Sequence, residues 1–160
     1  IIFATHSNQA LKMLDSPTNE EELILSAIKY QKNEALLHFD ESILPKRKTA
    51  WSSWNYLLDL DQKTPVALTY NMNILQSLKS NRTFCVSLNS GHLVDPSKII
   101  KHLNYDHPLF TVSSIKAQKR KDEICGVNNT YFCGAYWRNG FHEDGVVSAL
   151  DVCKKFGQSL

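Results

Sequence analysis

The sequence has few glycines, and their positions exclude the common phosphate-binding loops. Only six glycines occur among 160 residues, and no G-x-G-x-x-G segment can be built from them. Gly140 and Gly145 have the spacing of a Walker A loop, but Val146 and Val147 follow where that loop requires Lys and then Ser or Thr. Neither a dinucleotide-binding turn nor a P-loop is therefore present in these residues.

Charge, hydropathy and cysteine usage exclude further classes of protein. The net charge of +2 is too small to favour a nucleic-acid or anionic membrane partner. No apolar stretch approaches the ~20 residues that span a bilayer. The four cysteines form no C-x-x-C pair, which predicts reduced thiols in a cytoplasmic protein. His102, Asp106 and His107 lack the spacing of metal ligands, so we expect no metal site and predict a polar loop there.

The most informative segment lies near the end of the chain, at residues 130–147. It predicts a short buried strand, a turn rich in aromatic residues and glycine, and the start of a helix. A strand that leads into a helix N-terminus directs N–H donors and the positive end of the dipole at one place, which favours an electron-rich ligand. The apolar residues predicted to share one buried face of the helix are Val146, Ala149, Leu150 and Cys153.

The preceding residues predict helices followed by a sheet. Ser7 or Asn8 is expected to cap a short helix, and Thr18 with Glu21 forms a capping box for a second one. The residues predicted to line one face of this second helix are Leu23, Ile24, Ala27 and Ile28. Four segments alternate as strands do, at 35–39, 54–56, 66–70 and 84–88, and their short connections predict an antiparallel sheet. Residues 113–124 predict a polar surface helix.

Two segments of the chain resemble the flavin amine oxidase superfamily. Phe132-Cys133-Gly134 is similar to the Phe-Ala-Gly that ends a strand in that family, and residues 140–145 are similar to the Gly-Tyr-Met-Glu-Gly-Ala that follows it. Gly-Ala-Tyr-Trp at 134–137 and Trp-Ser-Ser-Trp-Asn-Tyr at 51–56 resemble a subgroup of predicted NAD/FAD-binding oxidoreductases. Similar modules precede some cyclopropane-fatty-acid synthase domains. The similarity covers nearly the whole chain.

The resemblance implies an α+β fold that is a fragment of an α/β FAD-binding protein. An antiparallel substrate-domain sheet with helices would be flanked by two pieces of an incomplete FAD-binding lobe. Residues 1–15 would belong to that lobe, 16–126 to the substrate-binding domain, and 127–160 to the C-terminal flavin-contacting strand and helix. Since the family's dinucleotide loop lies far upstream, we expect FAD binding to need an N-terminal portion of the same protein as partner. The fragment alone is expected to be inactive.

The resemblance also assigns residues to the site. The expected cofactor contacts are Gly134, Ala135, Trp137, Gly140, Phe141, Glu143, Asp144, Gly145 and Val146. Asp144 has a second interpretation, as a cap for the helix. The expected substrate contacts are Trp54, Tyr56 and Tyr136, with burial in the core as the alternative for the first two. The catalytic residue stays unidentified, because the lysine that many amine oxidases place near the flavin is absent from residues 33–38. A covalent link through Cys125 is not expected.

The function implied is that of an FAD-dependent oxidoreductase of the amine oxidase or desaturase type. It would transfer hydride to the flavin from a small apolar substrate, for example an acyl chain, without a nucleic-acid partner. Two alternatives remain open at this point. One is a non-catalytic interaction or regulatory module derived from the same fold, and the other is a flavin-dependent isomerase. Assembly into a homo-oligomer is also left open.

Overall fold

A computed structural model describes residues 1–57 and 67–159. In chain order the strands are β1 (Ile2–Phe3), β2 (Tyr30–His38), β3 (Trp54–Leu57), β4 (Ala67–Asn71), β5 (Cys85–Leu88), β6 (Ile99–Pro108) and β7 (Tyr131–Phe132). The α-helices are α1 (Ser7–Met13), α2 (Asn19–Ser26), α3 (Met72–Leu75), α4 (Val112–Gln118) and α5 (His142–Lys154). Within the described residues, no helix combines the length and apolar composition that crossing a bilayer requires.

The chain divides into two units. The first contains Ile1–Gln31 and Pro108–Leu160, and the second contains Lys32–His107. The first unit thus holds both ends of the chain together with residues 16–31 and 108–126. The expected labels of the domains, as FAD-binding lobe and substrate-binding domain, stay predictions.

The first unit packs its helices around an apolar core that includes Ile24, Leu25, Ile28, Phe132 and Tyr136. The predicted capping box is confirmed, since the Glu21 N–H donates to Thr18 Oγ1 at 3.1 Å and the Thr18 N–H donates to Glu21 Oε2 at 2.8 Å. The predicted face of α2 is wrong at Leu23, which is 58% exposed, whereas Leu25 is buried. The buried stripe runs through residues 21, 24, 25 and 28, which is the spacing of one helix face.

Two other helices of this unit begin or end differently from the prediction. α1 is preceded by His6, not by Ser7 or Asn8 as its cap, and the His6 N–H donates to Gln9 Oε1 at 3.1 Å. α4 ends at Gln118, and a 3₁₀ turn over Lys121–Glu123 follows it. Ala117 and Ile124 are buried, so residues 113–124 are not the continuous surface helix that was predicted.

The second unit contains a five-stranded sheet with the order β3-β4-β5-β2-β6. The pairs β3–β4, β4–β5 and β2–β5 are antiparallel, which confirms the predicted strands, although Val66 lies outside the described residues. The polar loop predicted at His102, Asp106 and His107 is wrong, because all three belong to β6. Most side chains of this strand are exposed, so it lacks the apolar alternation by which strands are found.

Buried polar groups of the second unit are satisfied by hydrogen bonds. His38 is fully buried; its Nδ1 accepts the Asp40 N–H at 3.1 Å and its Nε2 lies 2.8 Å from Ser87 Oγ. Since Nδ1 accepts, the proton of the neutral ring lies on Nε2 and is donated to Ser87. Asp40 is also buried, and it accepts the Asp95 N–H at 2.9 Å and the Lys98 ammonium at 3.0 Å. This network ties β2 to β5 and to the segment before β6.

Candidate functional site

The strand of the candidate site is positioned by the first strand of the chain. β7 runs parallel to β1, and the Cys133 N–H donates to the Phe3 carbonyl at 2.9 Å. The Phe3 and Phe132 rings stack with centroids 5.6 Å apart and an interplanar angle of 13°. Phe132 is fully buried. The predicted short buried strand is confirmed, and its end is held in place directly before Gly134.

Gly134 begins the turn, and the fold requires a glycine there. A Cβ at this position would lie 2.5 Å from an edge carbon of the Tyr136 ring, closer than non-bonded atoms approach. The Gly134 N–H donates to Ser148 Oγ at 3.1 Å, which joins the turn to α5. The turn continues as a 3₁₀ helix over Ala135–Trp137. Tight packing of the Tyr136 ring against the backbone accounts for this glycine.

Tyr136 and Trp137 point into the core of the first unit. They are 2% and 5% exposed, and their ring centroids lie 5.0 Å apart. Burial raises the pKa of the Tyr136 hydroxyl well above its ordinary value. Among the described residues, neither Tyr136 Oη nor Trp137 Nε1 makes a hydrogen bond. The predicted roles of Tyr136 in substrate binding and of Trp137 in cofactor binding stay predictions.

The start of α5 carries an exposed aromatic ring beside backbone N–H groups that have no partner within the helix. Phe141 is 61% exposed and precedes the helix, and its N–H donates to Asp144 Oδ2 at 2.9 Å. The interpretation of Asp144 as a cap is thus confirmed. The Gly145 N–H donates to the Phe141 carbonyl at 3.3 Å. The backbone N–H groups with no partner inside the helix are therefore those of residues 142–144.

Small residues line the space between the turn and the helix. A Cβ built on Gly145 would lie 3.9 Å from both Cβ and N of Ala135, which is ordinary van der Waals contact. Gly140 adopts a φ of +90°, and a Cβ there would meet the Phe110 ring at 3.2 Å. Gly140 is therefore needed by the chain itself. Gly145 is not, and its lack of a side chain leaves room beside Ala135.

The buried face of α5 differs from the predicted one. Val146 is 48% exposed, whereas Ser148 and Val152 are buried. Ser148 and Val152 lie one helical turn apart, and the partly buried Ala149 packs against the cluster that contains Val152. Ser148 accepts a hydrogen bond from Lys121 Nζ at 3.2 Å in addition to that from Gly134. Sequence reasoning missed Ser148 and Lys121, because a search for apolar positions passes over a buried serine.

Three of the cysteines lie near this helix. Cys125 and Cys133 pack with Val152 in a small buried cluster, and Cys153 is half-buried. Burial raises the pKa of the Cys133 thiol, and the nearby Lys121 ammonium lowers it only in part. All four cysteines are free thiols. Among the described residues, no group of three or more His, Cys, Asp and Glu side chains could hold a metal ion.

The aromatic residues predicted to bind substrate in the sheet belong to the second unit. Trp54 is 45% exposed and Tyr56 is 58% exposed, so the alternative interpretation of both as core aromatics is wrong. Trp54 packs edge-to-face on Tyr70 of the neighbouring strand, with centroids 5.2 Å apart. Exposed aromatic side chains on a sheet offer rigid apolar area to a ligand. Their role in substrate binding stays a prediction.

The residues of the turn fit an extended aromatic ligand with an electron-rich edge. Phe141 offers an exposed ring, residues 142–144 offer N–H donors at the positive end of a 13-residue helix, and Gly145 leaves the backbone without a side chain. Glu143 is exposed in the first turn. An isoalloxazine ring, whose pyrimidine part carries electron-rich oxygen and nitrogen atoms, is one ligand of this chemical class.

Comparison with known proteins supports the fold. No protein-family model matches the sequence, and no curated protein matches it. The structure is similar to the crystal structure of a putative protoporphyrinogen oxidase from Exiguobacterium sp. 255-15, with a TM-score of 0.61 and 12% sequence identity. The match covers 97% of this chain and 40% of that chain. The described α+β architecture is therefore similar to a segment that makes up less than half of that oxidase structure.

Proposed function

We propose that this chain is the C-terminal portion of an FAD-dependent oxidoreductase that removes hydride from a small apolar substrate. The observation that carries the proposal is the arrangement of β7, the glycine turn and the start of α5. An exposed Phe141 ring lies there beside N–H groups that have no partner within the helix, and Gly145 adds no side chain. The similarity of the fold to part of a putative protoporphyrinogen oxidase supports it.

The residues of this chain bind and orient the cofactor in this proposal. The N–H groups of residues 142–144 and the α5 dipole would hold the electron-rich pyrimidine edge of the flavin. FAD, when bound, supplies the hydride-accepting chemistry. N–H donors fixed at that edge would stabilise negative charge there. Phe141 would offer its exposed ring as a stacking surface, and Gly145 would let the ligand approach the backbone.

The substrate contacts of the proposal lie in the sheet of the second unit. Trp54 and Tyr56 have about half of their surface exposed, and both offer large apolar area at a low entropic cost of ordering. We include an acyl chain among the candidate substrates. No side chain at the turn is assigned to acid or base catalysis, so the proposal restricts these residues to binding and positioning.

Flavin content tests the proposal. The longest natural chain that contains these residues would be purified without added cofactor, and its visible absorbance recorded before and after incubation with FAD. We expect flavin bands in the unaltered protein. Gly145→Leu should remove them, because its side chain would occupy the position beside Ala135 where the ligand approaches. Lys154→Leu places the same side chain at the exposed far end of α5 and should retain the bands.

Two results would contradict the proposal. Unchanged flavin content in Gly145→Leu would mean that the ligand does not approach this turn. A protein that takes up no flavin even after incubation with FAD would rule out the oxidoreductase and favour a non-catalytic interaction module of the same fold. Flavin uptake with turnover but no net oxidation of substrate would instead favour a flavin-dependent isomerase.

A further inference from the structure

The outer edge of β6 is a surface to which the proposed function assigns no role. β6 ends the strand order of its sheet, so within the described part of the chain its strand neighbour is β2. Ile100 and Tyr105 are 49% and 50% exposed. A strand at the end of a sheet presents N–H and C=O groups that can pair with another strand.

Contacts within the second unit determine which backbone groups point outward. The Asn89 N–H donates to the Glu34 carbonyl at 3.0 Å. The backbone N–H and C=O groups of even-numbered residues in β2 therefore point to β5, and those of odd-numbered residues point to β6. The Glu34 side chain contacts His102 at 3.0 Å, and Asn33 contacts His107 at 2.7 Å. Even-numbered side chains of β2 and β6 therefore lie on one face of the sheet, and odd-numbered side chains of both strands lie on the other. It follows that even-numbered residues of β6 direct their backbone groups away from the sheet.

The outward edge is complementary to itself. When a second copy of β6 is placed antiparallel about a two-fold axis at Asn104, His102 lies opposite Asp106 of the other copy. Leu103 then lies opposite Tyr105 in the same way. His102 Nε2 already contacts Glu34 within one copy, so Nδ1 is the ring atom that remains for a polar pair with Asp106. Leu103 with Tyr105 forms an apolar pair. A shift of the axis to Leu103 would place Asp106 opposite Ile100 and lose both pairs.

We propose that the chain forms a homodimer by pairing β6 with β6 of a second copy, in the register centred on Asn104. The ladder contains about six main-chain hydrogen bonds from residues 102, 104 and 106 of both copies. Pro108 has no N–H to donate and bounds the ladder at one end. Each copy contributes its one β6 edge to the pairing, so the β6 contact closes at two copies. A contact of this length is small, and we expect a dissociation constant in the range of about 1–100 μM.

Sedimentation equilibrium of the longest natural chain that contains these residues, between about 1 μM and 1 mM, tests the proposal over a range that brackets that affinity. Asn104→Pro removes the backbone N–H of residue 104, which lies at the two-fold axis, from each copy. Because this N–H points away from the sheet and makes no hydrogen bond to β2, we expect the fold to persist. We expect this variant to raise the dissociation constant at least about tenfold, through two lost hydrogen bonds and a steric obstacle. Asn104→Ala keeps the N–H and should dimerise like the original chain.

Each outcome decides the proposal. A monomer throughout the range would overturn the dimer. A dimer that survives Asn104→Pro, or one that Asn104→Ala also disrupts, would overturn the register. If Asn104→Pro does not fold, hydrogen exchange on the unaltered chain replaces it. Slower exchange of the 102, 104 and 106 amides at high protein concentration would support the ladder, and concentration-independent exchange would overturn it.

Discussion

Replacing Gly145 with alanine distinguishes what the fold requires from what a ligand requires. Gly145 is the fourth residue of α5, and its φ is not among the positive values. A Cβ there would lie 3.9 Å from the nearest atoms of Ala135. The backbone and its neighbours therefore accept alanine without strain, and no structural need for glycine remains at this position.

The expected gain in stability follows from helix propensity. Glycine inside a helix costs roughly 0.5–1 kcal/mol relative to alanine, because it loses more backbone entropy on folding. Gly145→Ala should stabilise the chain by this amount and raise Tm by about 1–4 °C. Thermal and urea unfolding of the two proteins measure the difference. Ser148 is unsuitable as a comparison, since its hydroxyl accepts a hydrogen bond from Gly134.

The proposed flavin site predicts the opposite effect on binding. If the ligand approaches the backbone at Gly145, a methyl group there overpacks the contact by about 1–3 kcal/mol and weakens FAD affinity about 5- to 150-fold. A titration with FAD, followed by fluorescence, measures this in the longest natural chain. A loss of stability would refute the reasoning about the fold. A gain of stability with unchanged affinity would refute the close approach of the ligand.

Three further predictions concern Gly134, Asp40 and His38. Gly134→Ala should destabilise the chain by about 1–3 kcal/mol in urea unfolding, because the Cβ overlaps the Tyr136 ring, and an unchanged midpoint would contradict this. Burial by itself would raise the pKa of Asp40, but the Asp95 N–H and the Lys98 ammonium hold it well below its usual range. Asp40→Asn should therefore cost about 2–3 kcal/mol near neutral pH, and the gap should shrink as pH falls below about 4, where the wild-type advantage is lost. Burial lowers the pKa of His38, so as the pH falls the unfolded chain is protonated at this residue before the folded chain. The free energy of unfolding should therefore decrease below about pH 6.5, and it should decrease less steeply with pH in His38→Gln.

The features predicted correctly from sequence depend on neighbours within a few residues. The capping box of Thr18 and Glu21 brings two donors and two acceptors together within one helical turn. The alternation in β2, β4 and β5 reflects the opposite faces of single strands. The strand, turn and helix at residues 130–147 are likewise confirmed. In each case the local geometry decides the structure.

The faces of the helices were predicted less well, because burial depends on what packs opposite. At α2 the stripe is displaced from Leu23 to Leu25. At α5 it includes Ser148, whose hydroxyl is satisfied by Gly134 and Lys121. A small polar residue with partners packs as well as an apolar one, and only the tertiary structure shows the partners.

β6 was missed for a different physical reason. An edge strand with exposed side chains on both faces needs no apolar alternation, and its stability comes from main-chain hydrogen bonds to β2. The contacts of Glu34 with His102 and of Asn33 with His107 add to this pairing. None of these interactions leaves a periodic signal in the sequence. The residues that looked like a polar loop are therefore those of a regular strand.

The placement of the candidate site depends on both ends of the sequence. Residues 130–147 contain the glycines, the exposed ring and the helix start, but the position of the turn is determined by β7. β7 is held by two residues of β1, through the hydrogen bond of Cys133 to Phe3 and the stacking of Phe3 on Phe132. Because Gly134 follows Cys133 directly, a change in this pairing would move the turn relative to α5. Local sequence thus determines which groups the site offers, and a contact between distant residues determines where they lie.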